Sequence, residues 1–494
     1  MKRLVFCFDG TWNKIDGEHP TNVARIAQSV SRFDKQRQPQ FIYYDEGVGT
    51  TATERWSGGV FGRGLTEKIL EAYHVLILNY EPGDEIYVFG FSRGAFTARS
   101  FVGLLRNVGI MSRRSLQHIR DAVKLYVSRS ADSTPNSERA RQFRYKHCPG
   151  LCMPGDREWR AAAYPADARA DAIELRVRYL GVWDTVGGLG IPAHLKLLSG
   201  FNVENAFHDT NLSSFVERAR HAVAADERRR SFEPAIWTNL DDLNASHGGK
   251  PPYEQLIFPG VHSAVGGGGP VRGLSDIALE WIFRGAKEQG LEFDLDDQSP
   301  IFKLLPDHRA QLFNATGKTG WDWKDFAMGV GLKDRKLPDI DRTGVHESVA
   351  RRYAEPPENL PERKPYRPPS LKGLWGALGE MAQLAQSGAA KAAQKLNLGN
   401  DERMLRAPSR IKSYAVKPGD SFELIATQEM GDRADAALLK AHNLRIGLLF
   451  EDLKLYAGSK IEIPVYDALA VPAKTEGSAA ISPAQAANAP EPEA

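Results

Sequence analysis

EIYVFGFSRGAFTARSFVGLLRNV, residues 85–108, decides the fold. Ile86, Tyr87, Val88 and Phe89 make an apolar run suited to a buried strand, and Phe96, Phe101, Leu104, Leu105 and Val108 fall on one side of a helix. Between the two stand Gly90, Ser92 and Gly94 in a G-x-S-x-G pattern. The pattern alone is weak in a chain of 494 residues. It acquires meaning when a strand runs into the serine and a helix leaves it. The residue at such a turn is strained, and the positions two before and two after must lack side chains for the helix to pack close. The helix would also aim its first amides at Ser92 and favour negative charge beside it.

A serine hydroxyl is a poor nucleophile until a histidine takes its proton and an acid orients that histidine. In this architecture the chain order is serine, acid, histidine, with each group just past a strand. RVRYLGVWDTVGG puts Asp184 at such a place, and QLIFPGVHSAVGGGG puts His262 at another, before a glycine run that would give the imidazole freedom to reach Ser92. Asp226, in HAVAADERRRSFEP, and Asp276 are alternative acids without a comparable strand before them. An oxyanion formed on Ser92 would be held by the Arg93 amide and by one from Gly10 or Thr11 in FCFDGTWN, where Asp9 also suits bonding its own turn. This chemistry calls for no cofactor.

Working outward, residues 2–345 alternate strand-like and helix-like pieces, which predicts an α/β domain on a mostly parallel sheet with flanking helices. Strands are expected at 3–8, 41–45, 85–91, 175–183 and 255–261, and helices at 23–33, 66–79 and 95–108. Residues 112–172, rich in Lys and Arg, read as a surface insertion. The prolines of EPPENLPERKPYRPPS, residues 355–370, predict an extended linker outside either core. A helix with a narrow apolar stripe follows, including Leu374, Leu378, Met381, Ala385, Ala392 and Leu396, and its expected place is against the main domain rather than flat on a membrane. The expected units are 1–350, catalytic; 351–410, linker and helix; 411–465, a compact βααβ module; and 466–494, an Ala/Pro/Glu tail too poor in large apolar groups to fold.

Composition excludes several classes. A formal charge of +2 with interspersed signs gives no footprint for nucleic acid. Three cysteines make no disulfide framework and fit a reducing cytoplasm. His147, Cys148 and Cys152 suggest zinc, but no second ligand pair stands nearby, so a reduced loop is expected and no metal is assigned. MKRLVFCFDG turns polar at Asp9 and reads as a first strand rather than an export signal. No run reaches the length of a membrane span. DGT at 9–11 lacks the second carboxylate of a phosphatase with an aspartate nucleophile, and GKT at 317–319 has Leu312 where a P-loop needs glycine.

FDGTWN, GFSRGAFTAR, GVWDTVGGLG, ADERRRSFEP, PGVHSAVGGG and LSDIALEW, in that order, resemble the α/β-hydrolase phospholipase effectors of bacterial type VI secretion, family-one lipase type. The resemblance covers residues 1–345. It implies hydrolysis of acyl esters of glycerophospholipids by Ser92, Asp184 and His262, and peripheral contact with membrane. It further implies passage from the producing cell's cytoplasm to a target cell's periplasm, with a spike component and an immunity protein as partners. Relatives carry an acidic residue where Ala264 stands. YAVKPGDSFELIA at 414–426, HNL at 442–444 and LYAGSKIEIP at 455–464 resemble a LysM module, which implies binding to peptidoglycan. IPAHLKLLSGF, residues 191–201, suits either a lid lined by Ile191, Leu195, Leu197 and Leu198 or a core segment with the same leucines packed inward. The competing expectation is an inactive hydrolase shell that anchors a secretion complex at the cell wall.

Overall fold

Six strands, β1 (Arg3–Phe8), β2 (Gln40–Asp45), β3 (Glu85–Phe91), β4 (Tyr179–Trp183), β5 (Ala219–Ala224) and β6 (Tyr253–Phe258), form one sheet in the order β2-β1-β3-β4-β5-β6. Every pairing in it is parallel. The computed structural model describes residues 1–10, 13–47, 58–128, 130–187, 211–247, 251–294, 304–329, 331–337, 344–380, 410–445, 455 and 460–465.

Helices cover both faces, which is why the central strands read as unbroken apolar runs. On one face Leu4, Phe6, Phe8, Ile86 and Val88 pack with Ile69, Tyr73, Phe101 and Leu105 from α2 (Gly58–Asn79) and α3 (Arg93–Val108). On the other, Val5, Cys7, Tyr87 and Phe89 meet Val23, Ile26, Ala278 and Ile282 from α1 (Asn22–Ser29) and α4 (Gly273–Glu288). Thr21 caps α1 by accepting from the Ala24 amide at 3.1 Å, and the helix ends at Ser29, four residues short of the expected 33. The Phe101 ring packs tilted at 5.0 Å from Phe6 and 5.5 Å from Phe8, so truncating it to alanine would cost about 3–5 kcal/mol.

Three expectations need correcting. β5, ARHAVA, is a strand that the sequence hid, because Arg220 and His221 break its apolar run. Both are buried with partners: Arg220 with Glu254 at 2.9 Å and the Trp281 carbonyl at 2.5 Å, and His221 with Gln255 at 2.9 Å. Residues 112–172 are no peripheral insertion. Ile119, Ala122, Leu125, Ala140, Cys148, Leu151 and Met153 join the main core, and the buried Arg144–Asp156 pair, 2.5 Å, crosses it. The Cys148 and Cys152 thiols donate to the Val108 and Ala172 carbonyls at 3.3 and 3.5 Å. Among the described residues no group of three or more His, Cys, Asp or Glu could hold a metal ion.

The proline-rich stretch is not held away from the core either. Leu360, Tyr366, Leu371 and Leu378 bury themselves against Val223, Ile257 and Val349, and Tyr366 donates to Asp226 at 2.8 Å. Its prolines fix direction while the aromatic and leucine side chains between them supply the apolar contact. Leu378 thereby ties the start of the following helix to the main domain; residues 381–409 lie outside the described set.

The carboxyl-terminal unit is βααβ: β7 (Arg410–Ala415), α5 (Phe422–Glu429), α6 (Ala436–Arg445) and β8 (Lys460–Val465), with β7 and β8 antiparallel around Tyr414, Phe422, Ile425, Leu439, Ile461 and Ile463. Arg309 reaches it from the main domain, 3.0 Å from Glu462. The expected tail, 466–494, is not among the described residues. Among those residues no helix is long and apolar enough to cross a membrane.

Candidate active site

In an open parallel sheet, groups that follow the strands gather at the carboxyl edge, and the crevice opens where the chain reverses the direction in which strands are added. Here that reversal lies between β1 and β3. Phe8 is paired with Gly90, Phe91 with Trp183, Trp183 with Ala222, and Ala224 with Phe258. Asp9, Ser92, Asp184 and Asp226 therefore follow neighbouring strands at one edge, and His262 follows four residues past β6.

Ser92 has φ 59° and ψ −124°, a positive φ that side chains disfavour, at the junction of β3 and α3. The two glycines make this turn sterically feasible. A Cβ on Gly94 would stand 2.2 Å from the Phe8 carbonyl oxygen, and one on Gly90 would stand 2.6 Å from the Ala95 Cα. The backbone of Ser92 is locked to the acid's turn: its amide donates to the Trp183 carbonyl at 3.1 Å, and its carbonyl accepts from Val186 at 3.3 Å. Ser92 is 7% exposed. The expected lid, 191–201, belongs to the undescribed stretch 188–210.

Asp184 also has positive φ, 36°, and no exposed surface. Its Oδ2 lies 2.5 Å from His262 Nδ1. Its Oδ1 accepts from the Ala224 amide at 2.9 Å, and Arg335 grips both oxygens, Nη1 to Oδ1 at 2.6 Å and Nη2 to Oδ2 at 2.9 Å. Burial alone would raise this carboxyl; the Arg335 charge and the His262 bond hold it well below the usual carboxylate range. Burial likewise outweighs Asp184 at the imidazole and lowers the pKa of His262, which favours the neutral ring that a general base needs. His262 is clasped between Phe91, stacked at 4.6 Å, and Phe232, edge-on at 4.8 Å.

The structure thus sets the Ser92 turn against the turn that carries Asp184, with the acid–histidine contact formed. Among the described residues no hydrogen bond joins Ser92 Oγ to the imidazole. Unliganded hydrolytic sites often leave that contact long until substrate is bound. The glycine run after His262 does not free the ring as expected. A Cβ on Gly266 would lie 2.0 Å from the Phe91 ring, and one on Gly269 2.2 Å from the Asn314 carbonyl, so these glycines serve close packing.

Of the two expected second oxyanion donors, Gly10 is committed elsewhere: its amide donates to Asp9 Oδ1 at 2.6 Å. Asp9 braces the loop further by accepting from Asn13, Thr21 and Tyr44, and burial pushes its carboxyl up to about 6. Thr11 is not among the described residues. Arg93 is the first residue of α3, as the turn requires.

Neither alternative acid meets His262. Asp226 accepts from the Gly260 amide at 2.7 Å and from Tyr366 at 2.8 Å, and Asp276 pairs with Arg25 and the Leu305 amide. Four other residues near Asp184 and His262 escaped the sequence. Arg335 is the first, Glu227 accepts from the His262 amide at 3.2 Å, Phe232 packs on the imidazole, and His221 Nε2 accepts from the Thr185 amide at 3.2 Å. Burial lowers His221 to about 3, so it is neutral and steadies the turn that carries Asp184. Phe232 and Glu227 stand in ADERRRSFEP, the segment from which only Asp226 was drawn, as an alternative acid.

A family model described as "T6SS, Phospholipase effector Tle1-like, catalytic domain" matches residues 2–285. The uncharacterized protein YEL023C of Saccharomyces cerevisiae is 27% identical over 259 residues, 48% of this chain and 33% of the yeast protein, so the match spans about a third of that relative's length. The structure of the Tle1 effector bound to the VgrG spike from the Type 6 secretion system is 18% identical at a TM-score of 0.29, over 55% of this chain and 52% of that one. An uncharacterized protein from Pseudomonas aeruginosa is 16% identical at a TM-score of 0.32, over 91% of this chain and 74% of that one. At these scores neither structural likeness bears on the site.

Proposed function

We propose, for a chain that belongs to the family of Tle1-like phospholipase effectors of type VI secretion, a serine esterase that cleaves acyl esters of glycerophospholipids through Ser92, His262 and Asp184. The observation that carries this reading is the strained Ser92 turn set against the turn that bears the 2.5 Å Asp184–His262 contact.

His262 takes the Ser92 proton through Nε2, and the freed oxygen attacks the ester carbonyl carbon. The carbonyl oxygen gains the negative charge, and the Arg93 amide faces it; with Gly10 committed to Asp9, Thr11 is the remaining expected second donor. Collapse breaks the ester C–O bond, and the alcohol leaves with the proton from His262. Water, deprotonated by the same imidazole, then releases the fatty acid. Asp184 stays ionised because Arg335 is bound to both its oxygens, and it holds the ring with Nε2 toward the serine.

Membership of the family supports delivery to a target cell by the type VI apparatus with a spike component as partner, and an immunity protein belongs to the same proposal. The βααβ order of residues 410–465 supports a LysM-like role in holding peptidoglycan. The decisive measurement is mass-spectrometric product analysis of defined phospholipid vesicles with the wild-type chain and Ser92→Ala. Fatty acid and lysophospholipid from the first and none from the second support the reading; equal traces from both would refute it.

A further inference from the structure

Two of the most exposed large apolar side chains lie one turn apart on a single short helix, Trp323–Gly329: Trp323 at 74% and Phe326 at 57%. Exposed Phe33, Phe41, Leu78, Ile173 and Leu424 come from other elements. A tryptophan this exposed is uncommon on a soluble surface and is the residue favoured where an apolar phase meets water.

The helix is fixed against the candidate active site. The Gly331 amide donates to the Phe326 carbonyl at 2.9 Å, and the Gly331 carbonyl accepts from the Arg230 amide at 3.2 Å. Leu332 bridges to Arg229, and the Lys333 amide donates to the Arg228 carbonyl at 2.7 Å. Two residues past Arg230, Phe232 packs on the His262 ring; two past Lys333, Arg335 binds Asp184. The aromatic pair is therefore carried at the same sheet edge as the triad, on the segment that closes over its acid.

The charges around the pair are one-sided. Asp325 is buried and paired with Lys318 at 2.7 Å, Asp322 accepts from the Asp325 amide, and Asp334 meets Arg228 at 2.7 Å. Lys324, Lys333 and Lys336 are exposed and have no ion pair among the described residues. Two aromatic side chains expose at most about 150–250 Å² each, short of the roughly 800 Å² per partner that a stable protein interface buries. For a bilayer, apolar anchors with a basic rim suffice, because anionic headgroups supply the rest.

The geometry points to a lipid-docking surface: Trp323 and Phe326 enter the headgroup region of a bilayer containing anionic phospholipid, Lys324 and Lys333 meet its phosphates, and the catalytic edge is thereby set on the membrane. This rests on the acyl-ester reading above. Its test does not, because binding is measured on the full-length Ser92→Ala chain, which leaves vesicles intact. Sedimentation with vesicles of phosphatidylcholine, with and without phosphatidylglycerol, is compared for this chain, for a version adding Trp323→Ser and Phe326→Ser, and for one adding Lys324→Glu and Lys333→Glu.

The aromatic pair's removal should lower partitioning at least about tenfold on both vesicles, as loss of that much apolar burial implies. Charge reversal should lower it only where phosphatidylglycerol is present, with the difference shrinking in high salt. No binding by the parent chain, or unchanged binding by the aromatic variant with an unaltered melting temperature, overturns the proposal. So does an aromatic variant that converts a dimer into a monomer in light scattering, which would assign the face to a second copy. Should that variant melt early, the lysine pair decides: undiminished binding to anionic vesicles counts against the surface.

Discussion

Ser92 and Asp184 stand at the ends of adjacent strands, both at positive φ, yet their conformations are maintained by different parts of the chain. The serine's turn is written in residues 90–96, where Gly90 clears the Ala95 backbone, Gly94 clears the Phe8 carbonyl of β1, and an apolar strand and helix follow each other without a break. The acid's seat is assembled from afar: the Ala222 carbonyl and Ala224 amide on β5, His262 after β6, and Arg335, 151 residues away. A nucleophile can be encoded by a local motif because the strain sits at one residue and clearance, even against a neighbouring strand, needs only two missing side chains. A buried carboxylate cannot, because what keeps it ionised is a counter-charge that must come from wherever the fold can spare one.

The largest effect should come from the local element. Ser92→Ala should lower acyl-ester turnover by about 10⁵-fold, the order seen when a triad nucleophile is removed. Melting should change little, since alanine inherits the same positive φ. Turnover by this variant comparable to wild type would leave the turn a mere packing feature and reverse the contrast.

Next is the distant element. Arg335→Met removes the cation but keeps much of the volume, leaving Asp184 as a buried carboxylate short of two donors. A loss of about 3–5 kcal/mol in denaturant unfolding is expected, the range for breaking a buried pair from one side, with turnover falling as well. Arg335→Lys should recover part of the stability, because one ammonium cannot reproduce the two-pronged grip. Unchanged stability in the methionine variant would show that Asp184 draws its ionisation from the Ala224 amide and His262 alone.

The pH profile sharpens the same point. The proposed reaction needs a neutral His262, and burial holds its pKa below the ordinary value near 6.5. Activity is thus present at neutral pH and lost as pH falls through that lowered value. Taking away the Arg335 charge favours the imidazolium, so the acid limb should move to higher pH in Arg335→Met. Stability shares the sign for both groups. Below about 6.5 an unfolded histidine takes a proton that the buried ring resists, and Asp184, depressed when folded, contributes stability above about 3.9 that disappears as pH drops toward its folded value. An acid limb that stays in place without Arg335 would mean that the cation does not act on the ring.

The same division explains what the sequence made legible. β1, β2, β3 and the serine turn were readable because their apolar runs and glycines are contiguous, and the order of Asp184 and His262 followed from strand ends. β5 was hidden by Arg220 and His221, whose partners Glu254 and Gln255 lie on the neighbouring strand, and only pairing makes such residues compatible with burial. The prolines of 355–370 masked Leu360 and Tyr366, which pack inward. Arg335 carried no local signal: in GLKDRKLPD it is one cation among several.

The smallest expected effect on activity tests the contrast from its other side. Asp226 ends the neighbouring strand, as Asp184 does, and had a claim as the acid. Its carboxyl accepts from Gly260 and Tyr366 instead of His262, and burial raises its pKa. Both donors meet Oδ2, so Asn at this position keeps the shape and can accept from both through its carbonyl oxygen, more weakly than a carboxylate does. Asp226→Asn should therefore cost about 1 kcal/mol of stability, the worth of one imperfectly replaced hydrogen bond, with turnover within about twofold of wild type and the acid limb in place. Tyr366→Phe, which deletes one of the two donors to Oδ2, should also cost about 1 kcal/mol and leave the acid limb in place. A displaced acid limb in Asp226→Asn, with the Arg335→Met limb fixed, would transfer the orienting role from the distant seat to Asp226.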